Sequence, residues 1–239
     1  MLRCFAIAQH DSNKKHMRFT TLYLFYFLLS QKMKYANIKK YDVSNGVGVR
    51  VSLFVSGCRH HCKGCFNAEA WDFNYGTEFT QETIDEIIES LKPDYINGLS
   101  LLWGEPLAPE NQEQVWNLIQ QVRQKLPQKT IRCYSGFTYE FIEEYMEKNL
   151  PYTTKIMDSL DVLVDGKWKE ELKNLNLRFR GSANQRVIDV PSTRKYHTIM
   201  RALQKEKEKL VQLPLFSKSN LSSLEKVEQK LVEVLEVVA

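Results

Sequence analysis

The chain has 239 residues, 43% of them hydrophobic and 26% charged, with seven prolines and five cysteines. That is long and apolar enough to bury one full core, and five cysteines are too sparse and too odd in number for a disulfide-stapled scaffold. The formal net charge of +4 sits wholly in residues 1–32, where Arg3, Lys14, Lys15, Arg18 and Lys32 face only Asp11. The rest of the chain is balanced, which argues against a surface that tracks nucleic-acid phosphates.

In that basic stretch, Leu22–Leu29 is an unbroken apolar run, far short of the ~20 residues of a membrane helix. A basic segment before a short apolar run resembles a signal peptide. However, Ser30, Gln31 and Lys32 follow instead of a small-x-small cleavage site. Residues 1–32 are therefore expected to be an N-terminal extension, disordered or belonging to a misassigned start. The body begins at Met33, and the expected location is cytoplasmic, with no membrane and no nucleic acid as partner.

Tyr35–Val43 and Val49–Ser56 read as strands around a Ser44-Asn45-Gly46 turn, the second strand apolar and β-branched. A loop follows at once and carries Cys58, Cys62 and Cys65 in a C-x3-C-x2-C spacing, with Gly57 and Gly64 at its turns. Three thiols within eight residues can converge on one centre but cannot staple distant parts of a fold. Soft thiolates select zinc, Cu(I) or iron–sulfur clusters. A [4Fe–4S] cluster held by three cysteines keeps one iron open to another ligand. Structural zinc wants a fourth ligand, for which His60 and His61 are candidates. Spacing favours the cluster and leaves zinc open.

Thr80 then caps a helix whose Ile84, Ile87, Ile88 and Leu91 form one apolar face. A strand over 98–103 ends in Gly104-Glu105-Pro106. Val115, Leu118, Ile119, Val122 and Leu126 mark the next helix, which stops at Pro127. Thr130–Tyr134 is a strand ending in Ser135-Gly136, with Cys133 as a buried thiol, and a helix follows near 138–148. Leu160–Val164 is a strand ending in Asp165-Gly166, and Arg186–Val190 is the last. Strands alternating with helices predict an α/β fold with a mainly parallel sheet. In such folds ligands bind beyond the carboxyl ends of the strands. The cysteine loop, Gly104-Glu105-Pro106, Ser135-Gly136 and Asp165-Gly166 all fall there, forming a rim around one site.

From 196 onward the character changes. Lys205–Lys209 is a charged helical stretch, and Leu224, Val227, Leu231, Val234 and Val238 step by three and four as a packed terminal helix would. Between them Gln212-Leu213-Pro214-Leu215-Phe216 resembles a peptide that docks on the replication sliding clamp, although a hydrophobic plug is the simpler reading.

The segments Asn45–Arg50, Leu53–Cys58, Gly64–Asn67, Val162–Gly166 and Arg178–Gln185 together resemble those of radical S-adenosylmethionine (SAM) enzymes. Within them, the resemblance is to the activating proteins of anaerobic (class III) ribonucleotide reductase. It covers residues 33–195 and implies a partial, incomplete βα barrel of the radical SAM type, here with a helical C-terminal extension over 196–239. It implies that Cys58, Cys62 and Cys65 hold a [4Fe–4S] cluster whose fourth iron is chelated by the methionine end of SAM. One electron then cleaves a carbon–sulfur bond to give a 5′-deoxyadenosyl radical. That radical installs a glycyl radical on the catalytic subunit of the reductase, with an electron donor such as flavodoxin or ferredoxin.

By the same resemblance Gly64, Cys65 and Phe66 lie along SAM, and Gly104 and Glu105 match the second half of a Gly-Gly-Glu-Pro segment that faces the methionine amine. Ser135 and Asn184 are further SAM contacts, with Ser182 similarly placed. Trp103 stands where the family has its first glycine, and its ring is expected either to crowd SAM or to point into the core. Ala183 replaces a common serine, and His60 and His61 are expected behind the ligands or facing solvent. The alternatives are a radical SAM enzyme acting on another glycyl-radical protein or a small molecule, and a non-catalytic zinc-binding interaction module.

Overall fold

A computed structural model describes residues 33–199. The apolar N-terminal run, Cys4, the charged stretch, the Gln212–Phe216 peptide and the terminal helical stripe lie outside the described residues.

Seven strands form one sheet: β1 (Lys34–Asp42), β2 (Val49–Val55), β3 (Thr77–Glu78), β4 (Ile96–Leu102), β5 (Thr130–Tyr134), β6 (Val162–Asp165) and β7 (Arg186–Asp189), in the order β3-β1-β2-β4-β5-β6-β7. β2, β4, β5 and β6 run parallel. β1 and β3 add to one edge antiparallel, and β7 does so at the other. The architecture is thus mixed α/β, a parallel centre with antiparallel margins. β2 is buried almost throughout, as a central parallel strand must be.

Among the described residues, and apart from short 3-10 turns, the five helices are α1 (Gln81–Leu91), α2 (Pro109–Lys125), α3, α4 (Thr153–Asp158) and α5 (Val190–Tyr196). The helix α3 runs through Tyr139–Phe141, Ile142–Met146 and Glu147–Asn149, with its middle piece wound as a π-helix. The Thr80 amide donates to Thr83 Oγ1 at 3.3 Å at the start of α1, and Pro109 opens α2, where a missing N–H costs nothing.

Alternation within the strands decides what the helices cover. Val51, Leu53 and Val55 of β2, Leu99 and Leu101 of β4, Ile131 and Cys133 of β5 and Leu163 of β6 join one apolar cluster. Their partners there include Ile84, Leu118, Ile119, Ile142, Ile156 and Val190 from the five helices. The intervening residues, among them Arg50, Ser52, Phe54, Ser100, Arg132 and Tyr134, point to the second face. No helix among the described residues is long and apolar enough to cross a membrane.

Candidate active site around the cysteine loop

The cysteine loop leaves β2 at its carboxyl end and is fixed by backbone bonds. Gly57 N donates to Ala70 O at 2.8 Å, Cys58 N to Trp71 O at 3.1 Å, and Glu105 N to Gly57 O at 2.8 Å. Gly57 has φ +90, and a Cβ there would come within 2.1 Å of the Phe73 ring, so only glycine lets the chain leave the strand here. Gly64 turns at φ +68 beside Glu170.

Cys58 is buried, while Cys62 and Cys65 are half-buried. Burial pushes the Cys58 thiol up to about 11, against a hydrogen bond from the His60 amide, and the charges of Glu105, Cys62 and Cys65 push the same way as burial. Burial also raises Cys62, against the pull of Lys167 and a bond from the Trp168 amide. The three sulfurs are thus in mutual electrostatic reach. Their donor chemistry fits an iron–sulfur cluster, in which each thiolate takes a separate iron. Zinc fits less well: His60 Nε2 is occupied by Glu105, and the His61 ring packs edge-on against Trp71 at 4.6 Å. Among the described residues no three His, Cys, Asp or Glu groups gather about one metal position.

Glu105 is the hub of the rim. It is 1% exposed, and all its acceptor capacity is in use. Oε1 accepts from Ser135 Oγ at 2.9 Å and Leu107 N at 3.0 Å; Oε2 meets His60 Nε2 at 2.7 Å and accepts from Gly136 N at 2.8 Å. One carboxylate therefore ties the cysteine loop to the turns after β4 and β5. Gly104 turns at φ +38 against the Val55 and Gly57 carbonyls. Ser135 holds Glu105 and accepts from Phe137 N at 3.1 Å. His60 is part of this buried network and does not face solvent, whereas His61 is exposed.

The other expected residues meet the segment after β6. Phe66 is exposed, its ring 5.2 Å from Trp168 and under the Lys173 ammonium at 4.9 Å. Asn184 Nδ2 donates to Lys167 O at 2.8 Å, while its Oδ1 is buried without a partner. Ser182 is fully buried and accepts from Lys169 N at 3.3 Å. A cavity of about 710 Å³ opens between His60 and Asn184, lined also by Gly136, Phe137, Asp165, Lys167, Lys169 and Arg186; Phe66, Trp168 and Ser182 lie outside its lining. Its size suits a cofactor-sized molecule, and Asn184 is one of its lining residues. Trp103 also has φ +61, the left-handed conformation that a glycine adopts without strain. Trp103 is 36% exposed and its ring leans edge-on against Phe54 at 4.8 Å, so it is not core.

Sequence reasoning passed over Trp168, Lys167 and the clamp around Asp165. Asp165 is 1% exposed, pairs with Arg186 and accepts from Tyr139 N at 2.8 Å. Arg186 also forks onto Glu140 at 2.8 and 2.7 Å, which raises the arginine further and depresses Glu140. The strand-end position of Asp165-Gly166 was the available signal; its partner, twenty-one residues on, was not legible from spacing.

Comparison with known proteins agrees with this geometry. Residues 44–188 match the family described as a 4Fe-4S single cluster domain. A Vibrio cholerae protein is 43% identical over 155 residues, spanning 64% of this chain and 96% of that protein. One from Enterobacteria phage T4 is 38% identical over 155 residues, 65% of this chain and 93% of its own length. One from Escherichia coli K12 is 38% identical over 157 residues, 65% of this chain and 97% of its own. All three are named anaerobic ribonucleoside-triphosphate reductase-activating protein, and with this identity over nearly their whole length, the chain belongs to that family.

Proposed function

We propose that this protein activates an anaerobic ribonucleoside-triphosphate reductase by installing a glycyl radical on its catalytic subunit, as a radical SAM enzyme. The observation that carries the reading is the three-thiol loop at the end of β2, locked through Glu105 to the Gly104 turn, in a chain of the activating-protein family. The four parallel strands, with helices on one face and a ligand rim at their carboxyl ends, support a partial βα barrel. A flavodoxin- or ferredoxin-like donor and a cytoplasmic setting complete the proposal.

In this reading Cys58, Cys62 and Cys65 would hold three irons of a [4Fe–4S] cluster. With SAM bound, the cofactors supply reductive carbon–sulfur bond cleavage. The protein does the placing. Glu105 fixes the loop that bears the thiols, and Asn184 contributes to the cavity wall. Lys167 and Lys169 line its cationic side, where a carboxylate is favoured, and Phe137 keeps water from one wall. Ser135, committed to Glu105, serves as a positioning residue.

Anaerobically purified protein should be brown and carry about four irons per chain. Mixed with SAM, a reductant and the reductase, it should cleave SAM and raise a glycyl-radical signal in electron paramagnetic resonance. A colourless, zinc-bearing protein without SAM cleavage overturns the reading. SAM cleavage without a radical on the reductase redirects it to another glycyl-radical protein or a small molecule.

A further inference from the structure

The second face of the sheet carries two arginines in very different circumstances. Ser100 of β4 is the register partner of Ser52 in β2 and of Arg132 in β5. Arg50 lies close by on β2, and both arginines are 3% exposed. Arg50 is fully engaged. Its Nε donates to Ser100 Oγ at 2.7 Å, Nη1 to Thr130 Oγ1 at 2.9 Å, and Nη2 to the Leu99 and Thr130 carbonyls at 2.7 and 3.0 Å. Asp42 and Asp161 also lie within its electrostatic reach.

Arg132 has no such provision. Its Nε and Nη1 are buried and donate to nothing. Arg50 repels it, and the group favouring its charge is the buried Tyr134 hydroxyl, which lies within hydrogen-bonding reach of the guanidinium without forming a well-aligned bond. The Phe179 ring lies over the guanidinium at 5.3 Å, and the exposed Arg178 stacks on the same ring at 4.9 Å. Phe179 is held there at φ +56, an unfavourable conformation for a bulky residue. The turn at Gly46 walls the other side: a Cβ at that glycine would stand 3.2 Å from Arg132 Nε. Asp42, the nearby carboxylate, is already engaged by the Asn45 amide at 2.6 Å and by Ser44 N at 2.9 Å.

A buried guanidinium without an anion is strongly unfavourable, and buried donors are as a rule satisfied. Here two such donors, with the Tyr134 hydroxyl beside them, lie under a ring that also carries a second guanidinium. We propose that Arg132 and Tyr134 form an oxyanion site on this face, for a carboxylate or phosphate group held under Phe179. Guanidinium and phenol donors suit both anions. None of these residues belongs to the cysteine loop, which leaves β2 at the opposite end from the Gly46 turn, so the site does not rest on the activase reading.

The test uses the full chain at constant ionic strength, with chloride replaced stepwise by inorganic phosphate in one arm and by N-acetylglutamate in the other. Thermal unfolding should show a saturable rise in Tm in at least one arm, which identifies the anion's source. Arg132→Met should abolish that rise, and Tyr134→Phe should weaken the apparent affinity several-fold. No saturable rise in either arm overturns the proposal, as does an undiminished rise in Arg132→Met. Should Arg132→Met fail to fold, an unchanged response in Tyr134→Phe overturns it.

Discussion

At the residue scale, Glu105 matters less as a ligand than as a junction. A carboxylate with four partners and 1% exposure cannot be trimmed without orphaning buried donors. Each unsatisfied group costs about 1–3 kcal/mol. Glu105→Ala should therefore lower stability by about 3 kcal/mol or more in denaturant titration and reduce iron content, whereas Ser135→Ala, which removes one donor, should cost about 1 kcal/mol. Asp42 gives a pH prediction. Burial pushes its carboxyl up, but hydrogen bonds led by Ser52, Asn45 and the Ser44 amide outweigh that and hold it below the ordinary value. A carboxyl depressed in the folded state adds stability above its unfolded pKa of about 3.9, and the gain fades as pH falls through the folded value. Asp42→Asn should thus unfold at a lower temperature at pH 7, with the gap to the native chain closing below about pH 4. A gap independent of pH would show that the carboxylate's charge is not what matters there.

At the element scale, the rim is assembled by clamps between strand ends, and these were the least legible part of the sequence. The alternation of Val51, Leu53 and Val55 and the helical spacing of Ile84, Ile87, Ile88 and Leu91 are local patterns, so β2 and α1 could be read directly. The edge strand β3 has two residues and no pattern at all, and α4, at six residues, is too short to show one. Trp103 illustrates the same divide. Its departure from the family's glycine was legible, but the left-handed backbone and the lean onto Phe54 are products of packing. The Arg186 clamp joins β7 to Asp165 at the end of β6 and to Glu140 in α3. Removing the arginine leaves the Asp165 carboxylate buried and unpaired, a change worth about 3–5 kcal/mol. Arg186→Ala should accordingly destabilise the protein by about that much, while Glu140→Gln, at a half-exposed partner, should cost under about 1 kcal/mol. Equal losses in the two variants would mean that Asp165 is not the group the clamp serves.

At the scale of the whole molecule, the question is whether the fold depends on what the thiols hold. A structural zinc module collapses without its metal, because the metal's binding energy is its folding energy. Here the apolar cluster joins residues of β2, β4, β5 and β6 to all five helices, and none of the three loop cysteines belongs to it. The loop itself is tied down by the Gly57, Cys58 and Glu105 amides and by the His60–Glu105 contact, none of which uses a thiol. Iron-free protein should therefore unfold cooperatively. Cys62→Ala, a change at a half-buried position, should shift the stability of that iron-free protein by no more than about 0.5 kcal/mol, while Cys58→Ala, at a buried one, costs more. Both variants should lose the brown chromophore under anaerobic reconstitution. Urea unfolding of the iron-free chains, followed by circular dichroism, separates the two cases. A non-cooperative transition without iron, or a collapse of Cys62→Ala, would place the thiols among the supports of the fold. A preserved transition with lost iron would show that the thiols serve the iron and not the fold.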